Sequence, residues 1–244
     1  MAEAAYPVAI VGGGFSGAML AARLAESGVA SVLIHDNADA GLGVAYSTAF
    51  EGHLLNVRSG RMSAVEGRPD DFVAWLRDHR PELADPIDFA PRKVYGDYVR
   101  GRLAMIEGTF PGRIEHIVAR ALAIDGTGIG LTDGRTIAAD AVVLATGNPA
   151  PATASAEPGG RVVSDPWAPG ALDLVGADDS ILIVGTGLTM VDMIQSLLAR
   201  GWKGRATALS RRGLVPRAHA ATPDLPADLP ADALTGPVSN RLAA

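Results

Sequence analysis

The chain has 244 residues, of which 48% are apolar and 29 are glycine, a make-up that suits a folded α/β protein with a sizeable core rather than a disordered chain. It contains no cysteine, which excludes disulfides, thiolate metal sites and thiol redox chemistry; its net charge of −6 gives no general attraction to nucleic acid or to an acidic membrane. The opening MAEAAYPVAIVGGG lacks a basic leader, and no apolar run is long enough to span a bilayer, so the expected setting is cytoplasmic.

The first informative stretch is VAIVGGGFSGAMLAARLAESGVASVLIHD, Val8 to Asp36. It predicts a strand over Val8 to Val11, a glycine turn, a helix from about Ser16 to Ser27, and a second strand from Ser31 to His35. Gly12, Gly14 and Gly17 stand in the GxGxxG spacing: one glycine for the sharp turn, one for close approach of a pyrophosphate, one for tight helix–strand packing. The helix start at Phe15 and Ser16 offers unpaired N–H groups to phosphate oxygens. Asp36 ends the second strand, where a carboxylate accepts hydrogen bonds from the hydroxyls of an adenosine ribose. Strand, turn, helix and terminal acid agree on dinucleotide binding.

Asn37 to Gly52 is small, polar and glycine-rich and reads as a long loop. His53 to Val57 (HLLNV) is a short apolar patch carrying Asn56, followed by Arg58. Asp70 is expected to cap a helix over Asp71 to His79, with Phe72, Trp75 and Leu76 on one face. A second amphipathic helix, about Tyr95 to Glu107, buries Tyr98, Val99, Leu103 and Ile106; both helices read as scaffold. From Arg113 the period falls to two through RIEHIVARALAID, GIGLT and RTIAAD, with turn signals at Asp125-Gly126 and Asp133-Gly134, which predicts a small β-meander. It leads into the strand AVVLATG, whose Thr146-Gly147 end brings backbone close to whatever the first turn holds.

Asn148 to Asp179 is rich in proline, glycine and alanine and reads as a crossing, with Val162 to Ser164 as a short strand. The opening pattern then repeats: strand Ser180 to Val184, turn Gly185-Thr186-Gly187, then Leu188 and a helix from Thr189 to Arg200, and a strand from Ala206 to Ser210. Met190 occupies the third glycine position, so helix and strand stand further apart or Met fills the gap. Where the first copy has Asp36, the second has Arg211 and Arg212. Guanidiniums there either pair with a 2′-phosphate, which selects NADPH over NADH, or form a solvated basic surface pair. The histidines have no ligand spacing, which gives no expectation of a metal.

The strings VAIVGGGFSGAMLAARL, GLGVAYST, HLLNVRSGRMSA, DFVAWL, PRKVYGDYV, VVLATGN, ILIVGTGLTMVDMIQSL and SRRGLVPRAH cover nearly the whole chain. In this order they resemble FAD/NAD(P)-binding proteins of the group containing FAD-dependent urate hydroxylase and an aspartate N-monooxygenase. The resemblance implies an α/β protein in which residues 1–150 form a Rossmann-like FAD-binding domain with an inserted β-meander. Residues 151–179 cross to an incomplete Rossmann-like NAD(P)-binding unit, 180–222, followed by a Pro/Ala-rich tail, 223–244. FAD would lie on Gly12, Gly14, Gly17 and Asp36, with GVAY and HLLNV near the flavin, and NADPH on Gly185, Gly187, Arg211 and Arg212. Asn56 and Arg58 would either meet the isoalloxazine or serve the scaffold.

Members of that group run to about twice this length, with a late segment that returns to the FAD domain; here Pro223, Pro226, Pro230 and Pro237 argue against a further strand. The half-built second unit is therefore expected to leave apolar surface uncovered, so that another chain supplies the rest, the copies associate, or the product is a marginal relic. Two functions remain open: a FAD-dependent, NADPH-using oxidoreductase of monooxygenase type (or the N-terminal part of one) acting on a small molecule, and a non-catalytic flavin or nucleotide binder. A disulfide reductase of similar design is excluded by the missing cysteines.

Overall fold

A computed structural model describes residues 6–36, 39–152 and 160–216. In chain order the elements are β1 (Tyr6–Val11), α1 (Phe15–Glu26), β2 (Ser31–His35), the short α2 (Gly43–Tyr46), α3 (Asp71–His79), α4 (Arg92–Thr109), β3 (Ile114–Val118), β4 (Ala121–Asp125), β5 (Gly128–Leu131), β6 (Thr136–Ile137), β7 (Ala139–Leu144), β8 (Ile181–Val184), α5 (Leu188–Ala199) and β9 (Ala206–Leu209). The proline-rich tail and His219 lie outside the described residues.

The first sheet is parallel, in the order β3-β2-β1-β7. β1 and β2 read as unbroken apolar runs because both of their faces are covered. On one face Ala9, Val11, Val32, Ile34 and Ile117 pack against Ile129 and Leu131 of β5. On the other, Ile10 and Leu33 pack against Ala21 of α1. Complete burial of an Ile or Leu stabilises the fold by roughly 1.5–3 kcal/mol. The α1 stripe of Ala18, Ala22 and Ala25 is small enough for α4 to approach through Leu103 and Ile106. A separate cluster joins α3 to α4 through Phe72, Leu76, Tyr95, Tyr98 and Val99.

The sheet corrects one expectation. The run from Arg113 is not all meander: β3 leaves it to become a parallel outer strand, registering Ser31 with Ile114 and His35 with Val118. Only β4, β5 and β6 form the antiparallel sheet. A period of two marks a strand but not its direction of pairing. Val162 to Ser164 is not a strand. The loop after Asp36 carries the α2 turn, and α4 begins at Arg92, earlier than its apolar stripe suggests. Asp70 stands at the N-cap of α3 without a side-chain capping bond, while Asp71, buried behind it, accepts from the Tyr98 hydroxyl at 2.7 Å.

The second unit is small. β8 and β9 form a parallel pair, one flank of which is α5. Leu182 and Val184 are 66% and 82% exposed, and at the free edge of the first sheet Leu144 is 65% exposed. Two strands alone make a marginal sheet, and among the described residues these apolar side chains lie uncovered.

Candidate functional site: two glycine turns at strand ends

The first turn is shaped by contacts that the protein makes with itself. Gly12 has φ +117°, and a Cβ there would collide with the Ala145 carbonyl; a Cβ on Gly17 would collide with the Gly12 carbonyl oxygen. Both positions therefore require glycine for the fold. Gly13, an unassigned position in the sequence pattern, is also tight, since a Cβ would come within 2.5 Å of the His35 side chain. Gly14 differs. Its φ of −72° and ψ of −173° suit any residue, and a Cβ there would meet nothing nearer than the Gly43 Cα at 3.6 Å. The backbone is open just where the spacing expects a pyrophosphate, and no side chain caps the helix that follows, which leaves its first N–H groups facing that space.

Neighbouring segments close around this turn. Ala145 N–H donates to Val11 at 2.8 Å, which seats the Ala145-Thr146-Gly147 turn beside Gly12. Gly41 N–H donates to the Gly13 carbonyl at 2.7 Å, and this bond draws GLGVAY to the same point. The Phe15 ring packs against Tyr46 and Tyr95, with centroids 6.2 and 6.0 Å away. Its side chain therefore belongs to the scaffold, and what Phe15 and Ser16 can offer a phosphate is backbone. Burial raises the phenol pKa values of Tyr46 and Tyr95, Tyr95 far more strongly. Asp36 is exposed at the end of β2, the position a ribose-binding carboxylate requires.

Asn56 and Arg58 ride on a different segment, which pairs with residues 86–92 through Leu55 N–H to Ala90 and Ser59 N–H to Asp88, at 2.9 and 2.8 Å. Asn56 is exposed and Arg58 half-buried. Among the histidines, two distant in sequence meet beneath the turn: His35 Nε2 and His116 Nδ1 are 3.0 Å apart, and His116 Nε2 is 2.6 Å from Glu107.

The second turn repeats the backbone of the first with looser packing. Gly185 has φ +113°, while Gly187 has φ −77° and ψ −174° and open space where a Cβ would stand. Leu188 opens α5, which again has no side-chain cap. Met190 lines a cavity of about 1120 Å³ with Val162, Ile181, Met193 and Leu197. Arg161 at its rim is already bonded to Asp179 and the Leu174 carbonyl. The lining of the cavity is chiefly apolar, with Ser164, Ser180 and Thr189 among its polar residues. Arg211 and Arg212 sit exposed on the turn after β9, and just beyond them Thr186 Oγ1 and Ser210 Oγ both donate to the Leu214 carbonyl, at 2.5 and 3.3 Å. That anchor holds the arginine turn next to the second glycine turn.

Sequence reasoning missed the polar contact between the two units. His53 and Arg92 meet α5 at Ser196 and Asp192, with the Trp167 ring packed against both of them, and no spacing rule links residues so far apart. Among the described residues, no helix is long and apolar enough to cross a membrane.

A family model described as FAD-NAD(P)-binding matches residues 9–149. The tRNA uridine 5-carboxymethylaminomethyl modification enzyme MnmG of Granulibacter bethesdensis is 32% identical over 166 residues, which is 60% of this chain and 25% of that protein. Among solved structures, OTEMO in complex with FAD and NADP aligns with a TM-score of 0.53 and 18% identity, over 84% of this chain and 39% of that one. Oxidized steroid monooxygenase bound to NADP aligns with a TM-score of 0.52 and 20% identity, over 82% and 38%. The fold is therefore that of flavin monooxygenases, and the chain spans well under half the length of the proteins it matches.

Proposed function

The chain belongs to the FAD-NAD(P)-binding family, and from that membership we propose a FAD-dependent, NADPH-using oxidoreductase of monooxygenase type, or the N-terminal part of one. Within that reading it is of the FAD-dependent urate hydroxylase and aspartate N-monooxygenase type, and it acts on a small molecule. FAD takes the turn of Gly12, Gly14 and Gly17, with the N–H groups at Phe15 and Ser16 on its phosphates, Asp36 on its ribose and Thr146-Gly147 alongside. Asn56 and Arg58 are the polar side chains assigned to its flavin end. NADPH takes Gly185, Gly187 and the α5 start at Leu188, with Arg211 and Arg212 on the 2′-phosphate.

The observation that carries this reading is Gly14. Its neighbours Gly12 and Gly17 are glycine because the protein itself occupies the space. Gly14 is not, and a ligand approaching the backbone supplies the missing reason. FAD bound there would supply the redox chemistry, as the acceptor of a hydride from NADPH; this chain's residues would bind, orient and screen it. No side chain is assigned as acid, base or nucleophile.

A second reading is a non-catalytic flavin or nucleotide binder, either a truncated relic or a subunit needing a partner, and the exposure of Leu144, Leu182 and Val184 favours it. The absorbance spectrum of the purified protein, with and without NADPH under anaerobic conditions, separates the two. Flavin bands that bleach support the oxidoreductase, bands that persist support the binder, and a colourless protein that takes up no added FAD overturns both.

A further inference from the structure

Helix α5 has two working faces. Met193 and Leu197 point into the core of the second unit, while Asp192 and Ser196, one turn apart, point at the first unit. There they meet His53, which is only 5% exposed. His53 Nε2 lies 2.7 Å from Ser196 Oγ and 3.2 Å from the Asp192 carbonyl; Nδ1 lies 2.7 Å from Thr48 Oγ1. A carbonyl can only accept, so the contact with Asp192 calls for a proton on Nε2, and in the tautomer with Nδ1 bare that nitrogen accepts from Thr48. The Asp192 carboxylate, also buried, faces the Arg92 guanidinium at 3.4 Å. Arg92 donates through Nε to the Leu54 carbonyl at 3.0 Å and lies 5.8 Å from the centre of the Trp167 ring, which in turn meets the His53 ring edge-on at 5.2 Å.

A buried polar knot of this kind is a poor source of stability, because desolvating its members offsets most of what their contacts gain. Hydrogen bonds, unlike apolar contacts, have direction, and here they join two specific pieces of backbone. One is the segment His53 to Arg58, which carries Asn56 and Arg58. The other is α5, whose first turn is the second dinucleotide turn. We propose that His53 is a positioning residue: through Ser196 and the Asp192 backbone it fixes the NADPH-binding helix relative to the flavin-binding segment and so sets the separation between nicotinamide and flavin. The inference rests on the assignment of the two nucleotides made above. It adds that their alignment is governed by this contact, away from both glycine turns. Misplacement of reacting groups by about 1 Å costs on the order of a hundredfold in rate, whereas each nucleotide keeps its own binding contacts if the knot is loosened.

The test uses the full chain and the variants His53→Ala, His53→Gln and Ser196→Ala. Three quantities are read: flavin content, NADP⁺ affinity by titration, and the limiting rate of anaerobic flavin reduction at saturating NADPH, with amide exchange over residues 188–199 as a measure of how firmly α5 is held. His53→Ala should keep flavin content and leave NADP⁺ affinity within about threefold, lower the limiting rate about 10- to 100-fold, and speed exchange in α5. His53→Gln, whose amide can still donate to Ser196, should recover most of the rate, and Ser196→Ala should reproduce part of the loss. An unchanged rate and exchange profile in His53→Ala overturns the positioning role while leaving the proposed function intact. If His53→Ala does not fold, an unchanged rate in Ser196→Ala has the same force. A wild-type protein that is never reduced by NADPH removes the proposed function, and the inference falls with it.

Discussion

Substituting alanine for one glycine at a time separates what the fold needs from what the ligand needs. In Gly17→Ala the new methyl overlaps the Gly12 carbonyl oxygen, backbone that cannot swing aside, so α1 must lift off β1. Overpacking of that kind costs about 1–3 kcal/mol or more. In Gly14→Ala the methyl stands 3.6 Å from the Gly43 Cα, in ordinary contact, and the backbone angles suit alanine. The loss of a favourable N-cap residue, roughly 0.5–1 kcal/mol, is offset by reduced freedom of the unfolded chain, about 0.4–1 kcal/mol, so the apo-protein should keep its stability to within about 1 kcal/mol. The same methyl points into the space assigned to the diphosphate, and 1–3 kcal/mol of crowding there weakens FAD by about 5- to 150-fold. Urea unfolding of the apo-protein and fluorescence titration with FAD measure the two effects. The reasoning is refuted if Gly14→Ala binds FAD like wild type, or if it destabilises the apo-protein as much as Gly17→Ala.

Other positions offer independent tests. Arg211→Glu combined with Arg212→Glu should weaken NADPH by at least tenfold more than NADH, since only the former carries a 2′-phosphate; equal losses in parallel titrations would free these arginines from that role. Tyr98, whose hydroxyl pKa burial and the Asp71 contact push up to about 12, also accepts from Ala64 N–H at 3.1 Å. Tyr98→Phe should therefore cost about 1–3 kcal/mol in urea unfolding, because the half-buried Ala64 N–H loses its acceptor and buried Asp71 keeps only its arginine partners, Arg68 at 2.8 Å, and a change under about 0.5 kcal/mol would contradict this. Burial raises the Asp192 pKa, with Arg92 and His53 opposing. Its contribution to stability is therefore present in full below the ordinary carboxylate value and is lost as pH rises through the raised one. Asp192→Asn should remove that fall from the stability–pH curve measured between about pH 4 and pH 8, whereas curves that run parallel would show that folding does not raise the Asp192 pKa.

Much of the fold was legible because local rules and tertiary packing agree. β1, α1 and β2 are marked by apolar runs and a glycine turn, and the alternation within each strand matches the two faces it buries. The boundary between β3 and β4 was not legible, because alternating residues serve a parallel outer strand and an antiparallel meander equally well. At the site, Gly12, Gly14 and Gly17 stood out from their spacing, but sequence could not separate those required by the fold from the one left open. That distinction needs the Ala145 carbonyl, which arrives more than a hundred residues later. Phe15 is a similar case: the residue sits where its backbone can face a phosphate, yet its ring is committed to Tyr46 and Tyr95. The knot around His53 left no trace in the sequence, since its members are brought together only by the docking of α5 on the first unit.

The most direct test is a crystal structure of the protein grown with FAD. The account predicts the diphosphate lying against the Gly14 backbone at the α1 N-terminus, with the ribose hydroxyls on Asp36. A diphosphate bound elsewhere, or a Gly14 face covered by the protein's own side chains with Asp36 turned away, would contradict it.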